Sequence, residues 1–360
     1  MKKVFYAIIS ILSFQPVFAG VLTVSNAPVN PGQYNSISGA IAAASAGDTI
    51  LIQGTTYNYG SFTVNKRLVF IGPGHNPEDK QNTSAAVIDN IVVTPAGAQS
   101  RFYGLNFNQI NTSGSTPSSQ AQGIVISNCL IRYQVYLNER GAHNWIIDGC
   151  VFSGNDINVN GSAQGYGISN LQIRNTVFNG RIYDFPAPND AGYNYIDHCI
   201  FLKTNTPGAY SLDQINYFYV TNTIFYRANP RRNGGWVSFD KCLSFNVTGG
   251  DNSFSANSNG VARTVWEGVD PQFENFPGAG AFFDYAHDYR LKATSTVKAM
   301  GTDATDLGVY GGVLFSNILL GYNQNGIPIN PYIKSFNITG PTSVNAGDNL
   351  QISVEAKVRN

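Results

Sequence analysis

One short pattern of apolar and polar residues recurs along the middle of the chain. Each copy alternates apolar and polar positions around one cysteine or threonine. The six copies end at Ile131, Phe152, Phe178, Phe201, Phe225 and Phe245. The cysteine or threonine positions, with the equivalent Leu105, are 19 to 26 residues apart. A strand-like pattern repeated at this period is typical of a β-solenoid, in which each repeat forms one coil stacked on the last.

The alternation also predicts which side chains face the interior of the coils. The third residue before each cysteine or threonine is apolar in every copy, from Phe102 to Phe239. The second residue after it is apolar from Phe107 to Phe225, so one interior layer is predicted to be rebuilt on every coil. Asn or Asp stands one or two places before most of these positions and predicts a tight turn, because both accept left-handed backbone angles. We expect right-handed connections.

Different patterns precede and follow the repeats. Apolar residues at helical spacing predict a short helix over Tyr34–Ala46, which would cover the open end of the first coil. Strands are predicted within Gly47–Tyr57 and, as a pair around an exposed corner, within Phe62–Gly74. Near the end of the chain, Tyr332–Asn360 contains two alternating segments that resemble the first strands of an Ig-like sandwich and are too short to form a separate core.

The first nineteen residues predict a cleaved signal peptide. Two lysines precede the apolar run Val4–Phe14, and small residues flank the expected cleavage site. The run is too short for a membrane span. We therefore expect a secreted protein in three parts, with a signal peptide in residues 1–19, an all-β right-handed parallel β-helix in residues 20–327, and a linker with a two-stranded β appendage in residues 328–360.

Composition narrows the classes of partner. Charged residues make up only 12% of the chain, and 22 basic residues balance 22 acidic ones. A nucleic-acid-binding protein would carry a basic excess or patch, so we expect no nucleic-acid partner. Amide and hydroxyl side chains supply the polarity instead, which suits a polysaccharide or a cell-surface glycan as partner but equally suits a stacked β-scaffold that binds no ligand. We expect a monomer.

The four cysteines leave two alternatives open. All of them occupy the same position of the repeat. Cys129 and Cys150 fall on adjacent coils, about 5 Å apart along the stacking direction, so one disulfide between them is the first alternative. Cys199 and Cys242 have Thr223 between them and lie too far apart for a bridge. Four buried free thiols are the second alternative.

Phrases at both ends of the repeats resemble the right-handed parallel β-helix proteins of the pectin-lyase-like family. At the start these are the alanine-rich segment that ends in G-D-T-I, followed by G-T-T-Y and G-L-N-F. At the end they are D-P-Q-F at Asp270–Phe273, D-Y-R-L at Asp288–Leu291 and D-L-G-V-Y-G-G at Asp306–Gly312. The likeness covers about Val21 to Gly312. It implies the fold more than the chemistry, because the family includes lyases, hydrolases, epimerases and adhesins.

Candidate binding residues lie on the strand that follows each aromatic position. The outward positions of this strand are predicted to form one row that holds Tyr136, Asn158, Tyr183 and Ser211. Tyrosine rings and amide groups bind sugars by stacking and hydrogen bonding. The candidate substrate-binding residues are Tyr136, Asn158, Tyr183, Arg181 and Asp213. Ordinary exposed residues of a β-solenoid are the alternative interpretation.

The stretch Tyr226–Trp236 is similar to a phrase of pectate lyases, R-x-P-x-x-R-x-G, in which an arginine abstracts the proton next to a uronate carboxylate. Arg227 and Arg232 keep the spacing of the two arginines, while the proline is one place late and Arg231 is an extra charge. The resemblance implies Arg227 and Arg232 as catalytic candidates; the alternative is a basic surface loop. A second phrase, I-D-H-C, implies His198 as a base, although the same position serves as a turn in other repeats.

Calcium is the cofactor that such a lyase would use, held by several carboxylates. The candidate ligands are Asp184, Asp190 and Asp213. A glycoside hydrolase would instead need carboxylates on adjacent coils, for which Glu139, Asp156 and Asp184 are candidates. Two functions stay open at this point: a lyase that cleaves acidic glycans by β-elimination, and a β-helix that binds glycans or builds a surface structure without catalysis.

Overall fold

The computed structural model describes residues 19–29, 31–75, 84–113, 121–138, 142–154, 156–160, 168–188, 192–202, 210–245, 254, 263–278, 281–312, 332–338 and 352–357. Most of their regular structure is strand. The predicted helix is confirmed but shorter, since α1 spans Ile37–Ala43. Ser36 caps it by accepting a hydrogen bond from the Gly39 backbone N–H, and the chain turns extended at Ala44.

The strands are short and follow one another at the predicted period. The first twelve are β1 (Val21–Val24), β2 (Thr49–Ile52), β3 (Phe62–Val64), β4 (Val69–Ile71), β5 (Val87–Val93), β6 (Arg101–Tyr103), β7 (Asn106–Thr112), β8 (Val125–Ser127), β9 (Leu130–Asn138), β10 (Ile146–Asp148), β11 (Val151–Phe152) and β12 (Asp156–Asn160). The next twelve are β13 (Gln172–Arg174), β14 (Val177–Phe178), β15 (Arg181–Phe185), β16 (Asn194–Asp197), β17 (Ile200–Leu202), β18 (Tyr210–Ile215), β19 (Phe218–Thr221), β20 (Ile224–Tyr226), β21 (Asn229–Gly234), β22 (Val237–Asp240), β23 (Cys242–Phe245) and β24 (Val265–Glu267).

These strands form a parallel β-helix, as the repeat predicts, and the helix has three faces. The first face is a parallel sheet in the order β1-β2-β4-β6-β8-β10-β13-β16-β19-β22. A second parallel sheet divides into two faces, because β5, β7 and β9 run through both. The second face continues through β11, β14, β17, β20, β23 and β24, and the third face contains β3, β12, β15, β18 and β21.

The interior layers are those the alternation predicts. Phe102, Ile126 and Ile147 stand in register on neighbouring strands of the first face, and the column continues to Phe239 with every member buried. The phenylalanines of the second face stack ring on ring, with centroids 4.6 Å apart from Phe152 to Phe178 and 4.7 Å from there to Phe201. Repeating one ring on each coil therefore fills the core without change of shape from coil to coil.

The turn between the first and second faces is left-handed at the residue just before each cysteine or threonine. Asn128, Gly149, Asn175 and His198 have φ between 45° and 61°. The aspartates one place earlier, such as Asp197, end the preceding strand and do not adopt this conformation. All four cysteines are free and buried, so the bridge between Cys129 and Cys150 is not formed. Burial raises the pKa of the Cys199 and Cys242 thiols, which keeps them protonated and unreactive.

Residues 268–278 and 281–312, which we call the C-terminal arm, pack on the outside of the second face. The outward column of that face is aliphatic and buried from Val177 to Leu243. It packs in one cluster with side chains of the arm, among them Phe273, Tyr289 and Leu307. The arm contains its own antiparallel strand pair, β25 (Phe273–Asn275) and β26 (Asp288–Leu291).

Hydrogen bonds join the arm to the column of left-handed turns. The Asn175 side-chain amide donates to the backbone carbonyls of Val309 and Gly311, at 3.0 and 2.7 Å. The Gly308 backbone N–H donates to the Asn222 carbonyl at 2.8 Å. Gly311 lies against the His198 ring so closely that a Cβ there would be 2.5 Å from a ring carbon. The arm is therefore fitted to the turns as well as to the apolar face.

The predicted pair of C-terminal strands is also present. β27 (Tyr332–Ile338) and β28 (Ile352–Lys357) pair antiparallel. Within the described ranges, no helix has both the length and the apolar character needed to cross a membrane. Residues 1–18, which contain the apolar run of the predicted signal peptide, lie outside the described residues.

Candidate functional site

The strand register places five outward side chains in one row across the third face. Tyr136 is paired with Asn158, Asn158 with Tyr183, Tyr183 with Asp213, and Asp213 with Arg232. We call these five residues the site row. Neighbouring strands are about 4.8 Å apart, so the row runs along the helix axis over five coils.

The prediction that Ser211 belongs to this row is wrong. Leu212 pairs with Ile182 and faces inward, so the residue that follows it, Asp213, is level with Tyr183. Ser211 lies one residue before Leu212, level with Arg181, and is fully buried. Asp213, which the sequence predicts beside the row, therefore lies within it, between Tyr183 and Arg232.

Asp213 is held by two arginines. Arg232 Nε donates to Asp213 Oδ1 at 3.0 Å, and its Nη2 donates to Oδ2 at 2.5 Å. Arg181 Nη1 donates to the same Oδ2 at 3.3 Å. The Asp213 side chain is only 3% exposed, whereas those of Arg181 and Arg232 are 36% and 42% exposed. The negative charge is therefore covered, and the guanidinium groups face solvent.

Tyrosine rings support both arginines. The Arg181 guanidinium carbon lies 4.2 Å from the centre of the Tyr183 ring, and that of Arg232 lies 5.0 Å from the Tyr210 ring. The Asn158 amide donates to the Tyr183 hydroxyl at 2.5 Å. Stacking and hydrogen bonding fix the direction of each group before any ligand arrives. The sequence does not predict Tyr210 as a site residue, because the contact between its ring and Arg232 joins two neighbouring strands.

The pKa values of the site follow from these contacts. Hydrogen bonding and charge from Asp213 raise the pKa of the Arg232 guanidinium. Burial raises the pKa of the Asp184 carboxyl, and the charge of Asp213 adds to that shift while Arg181 opposes it. Asp184 has a left-handed backbone (φ 59°) next to Tyr183. The arrangement thus favours a charged Arg232 and makes Asp184 a weaker acid than usual.

The other two arginines of the predicted catalytic stretch lie away from the row. Arg227 lies in the corner between β20 and β21, has φ 56°, and donates its backbone N–H to the Phe245 carbonyl at 2.7 Å. Arg231 pairs with the inward Leu212, is only 4% exposed, and donates to the Asn233 and Gly235 carbonyls. The interpretation of this stretch as a surface loop is therefore wrong for Arg231, which lies in a strand and is buried.

The described residues assemble no calcium site. No group of three or more His, Cys, Asp or Glu side chains in this part of the chain could hold a metal ion. Of the three candidate ligands, Asp213 is engaged by arginines, Asp184 lies near it, and Asp190 lies outside the described residues. Of the hydrolase candidates, Glu139 and the side chain of Asp156 lie outside the described structure.

His198 has a structural environment. It is 1% exposed, and Nδ1 lies 2.9 Å from Asp197 Oδ2 while Nε2 lies 3.1 Å from the Thr305 hydroxyl. Asp303 Oδ1 lies 3.6 Å from the same Nε2. The C-terminal arm covers the ring and closes it off from solvent, so His198 is a contact between turn and arm.

A separate cavity of about 450 Å³ lies between Tyr226 and side chains of the arm. Its lining residues are Tyr226, Asp270, Gln272, Phe273, Phe276, Lys292 and Thr294. None of these side chains belongs to the site row, so the cavity and the row are different features of the surface.

Comparison with models of known protein families gives no match to this chain, and comparison with curated proteins gives no significant match. The site row therefore has to be interpreted from its own geometry.

Proposed function

We propose that this protein is an exported, pectin-lyase-like β-helix that binds acidic glycan chains along the site row without cleaving them. The observation that carries the proposal is the Asp213 cluster, in which a covered carboxylate holds two exposed guanidinium groups in fixed directions. Guanidinium groups recognise carboxylates through paired hydrogen bonds. A uronate residue offers such a carboxylate.

The length of the row supports a polymeric ligand. Five coils contribute one side chain each, and the order along the axis is Tyr, Asn, Tyr, Asp and Arg. The two rings and the Asn158 amide offer stacking and hydrogen bonds to the sugar hydroxyls, while Arg232 at the other end and Arg181 beside Tyr183 offer ionic contacts. A chain laid along the helix axis would meet both kinds of group in succession.

The charge state of Arg232 supports binding more than β-elimination. An arginine that abstracts the proton next to a uronate carboxylate must first lose its own proton. Asp213 stabilises the charged guanidinium and raises its pKa, which makes proton abstraction harder. The catalytic assignment of Arg227 and Arg232 stays a prediction, and the experiment below tests it directly.

The test compares two arginine variants on polygalacturonate. Arg232→Gln removes an exposed cation from the row, and Arg290→Gln removes an exposed cation that is paired with Asp288 in the arm. We expect Arg232→Gln to weaken binding about tenfold, the value of one charged hydrogen bond, and Arg290→Gln to leave it unchanged. Binding of the unaltered protein should weaken as salt is added.

Equal effects of the two substitutions would overturn the assignment of the row as the binding site. Unsaturated products, followed by their ultraviolet absorbance with and without Ca²⁺, would overturn binding without cleavage and establish a lyase. Loss of that absorbance in Arg227→Ala or Arg232→Ala would then identify the base.

A further inference from the structure

A cluster of aromatic side chains lies on the outside of the first face, around a corner from the site row. It consists of Tyr193, Tyr195, Tyr217, Tyr219 and Trp236, which we call the aromatic platform. Tyr195 and Tyr219 are paired in register on β16 and β19. The other three directly precede β16, β19 and β22. Three successive coils therefore each contribute at least one ring.

The rings of the platform hold one another in place. Tyr195 and Tyr219 are stacked, with centroids 5.8 Å apart and planes 12° from parallel. Trp236 packs edge-on against both Tyr219 and Tyr193, at 4.9 and 5.3 Å. Edge-to-face contacts of this kind stabilise ring directions beyond simple burial. The platform is thus a rigid surface, and a ligand would lose little free energy in ordering it.

The platform stays partly open to solvent. Tyr195 is 40% exposed, and the other four rings are partly exposed. This differs from the outward column of the second face, whose aliphatic side chains are covered by the C-terminal arm. Contiguous exposed aromatic surface on a soluble protein commonly marks a binding site.

The surroundings of the platform point to an uncharged, hydroxyl-rich partner. None of its five side chains is charged, and every one carries a hydroxyl or an indole N–H. On the preceding coils the equivalent positions hold amide side chains. The Asn170 amide donates to the Asn144 side-chain oxygen at 2.7 Å, and the Gln172 amide donates to the Asn170 side-chain oxygen at 3.2 Å. Flat rings beside a row of amides fit the apolar face and the hydroxyl edge of a pyranose ring.

We propose that the aromatic platform is a second carbohydrate-binding surface that takes neutral glycan chains. The platform and the site row are close together along the chain. Arg232 and Trp236 are four residues apart, as are Asp213 and Tyr217. The chemistry of the platform nevertheless differs, because the guanidinium groups of Arg232 in the row and Arg181 beside it are exposed, whereas the platform contains no charged side chain. The proposal therefore stands or falls independently of acidic-glycan binding at the row.

Binding of cellohexaose, xylohexaose and mannohexaose to the mature protein tests the proposal. Tyr195→Ala removes the most exposed ring of the platform, and we expect a fivefold to tenfold loss of affinity for at least one hexamer, about the value of one aromatic contact. Tyr57→Ala removes a similarly exposed tyrosine, 52% exposed, outside the platform and should change nothing. Calorimetry measures the affinities, and thermal unfolding confirms that each variant is folded.

Fluorescence locates the bound sugar independently. The chain has three tryptophans; Trp145 is fully buried, and Trp266 lies under Lys241. Sugar binding at the platform should change the emission of the unaltered protein, and Trp236→Phe should abolish that change while calorimetry still detects binding. Arg232→Gln should leave hexamer binding intact, which separates this proposal from the function of the site row.

Three results would overturn the proposal. The first is that none of the three hexamers binds. The second is that they bind with the same affinity to Tyr195→Ala as to the unaltered protein. The third is a concentration-dependent dimer in analytical ultracentrifugation that Tyr195→Ala dissociates, since the platform would then be a contact between two copies of the chain.

Discussion

The second and third faces of the β-helix are built from consecutive strands of the same coils, yet one is covered and the other is open. On the second face the outward column from Val177 to Leu243 is aliphatic, and the C-terminal arm packs on it. On the third face the outward positions of the same coils hold Tyr183, Asp213 and Arg232, and two guanidinium groups face solvent. The chemical character of the outward residues of a solenoid therefore indicates whether a face is covered by protein or open to solvent, just as the inward residues indicate the core.

The largest expected effect comes from the covered face. Ile200→Ala removes a fully buried side chain between β17 and the arm, so we expect a loss of about 2–4 kcal/mol in the free energy of unfolding. Ile146→Ala is the matched control, because Ile146 is outward on the first face and only partly buried. Urea denaturation measures both. Equal losses would contradict the distinction between covered and open faces.

A smaller effect is expected where the arm meets the turns. In Gly311→Ala the new Cβ would lie 1.8 Å from the Asp306 carbonyl oxygen and 2.5 Å from the His198 ring. Neither atom belongs to a flexible side-chain end, so the arm must shift, at about 1–3 kcal/mol. Hydrogen exchange compares the variant with the unaltered protein. Gly311→Ala should speed the exchange of backbone amides in the arm more than in the first face. Uniform exchange rates throughout the molecule would argue against a separate docking contact.

Acid should weaken the same contact between the arm and the turns. Burial raises the pKa of Asp197, but hydrogen bonds and charge from His198, Thr221 and Asn222 outweigh it, so the net pKa is below the ordinary value of 3.8. Asp303 behaves alike, with Thr305 and His198 outweighing burial. Stability from both carboxylates is therefore present above about pH 4 and lost as the pH falls through their folded-state pKa values.

Denaturation midpoints between pH 3 and pH 7 measure this loss, with Asp197→Asn as the comparison. The variant lacks one of the two titrating carboxylates, so its acid-dependent loss should be smaller. An unchanged pH profile in the variant would show that the loss originates elsewhere.

The smallest effect on stability is expected in the site row. Asp213→Asn removes the acid between Arg181 and Arg232, but both arginines are more than a third exposed and their charges are screened by solvent. We expect a loss of about 1 kcal/mol or less. A loss as large as that of Ile200→Ala would mean that the third face is as structural as the second.

The inward half of this fold could be predicted from the sequence, and much of the outward half could not. The period and the alternation predict the stacked parallel coils, the repeated interior layer and the turns that tolerate left-handed angles, because each coil repeats the same local requirement. The signal for a covered face was also present, in the residue just after each cysteine or threonine: Val177, Ile200, Ile224 and Leu243 are aliphatic at an outward position. That pattern indicates that another segment packs there, although it does not identify the segment.

The candidate site was predictable in part for a different reason. Alternation alone identifies Tyr136, Asn158 and Tyr183 as outward. The strand register shifts the next member of the row by two residues, from Ser211 to Asp213. Contacts such as that between Arg232 and the Tyr210 ring depend on rotamers and on neighbouring coils. The burial of Arg231 could not be anticipated, because an arginine at an inward position contradicts the pattern that defines the coil.

The arm also has a consequence for the order in which the molecule comes apart. A stack of coils that contact only their neighbours can lose its last coil, then the next, in small steps. The arm leaves the last coil at β24 and reaches back to the turn at Asn175, three coils earlier than the one that contains Cys242. These coils cannot peel away singly while the arm is bound, so we expect them to open together as one cooperative unit, whereas the coils nearest α1 fray one at a time.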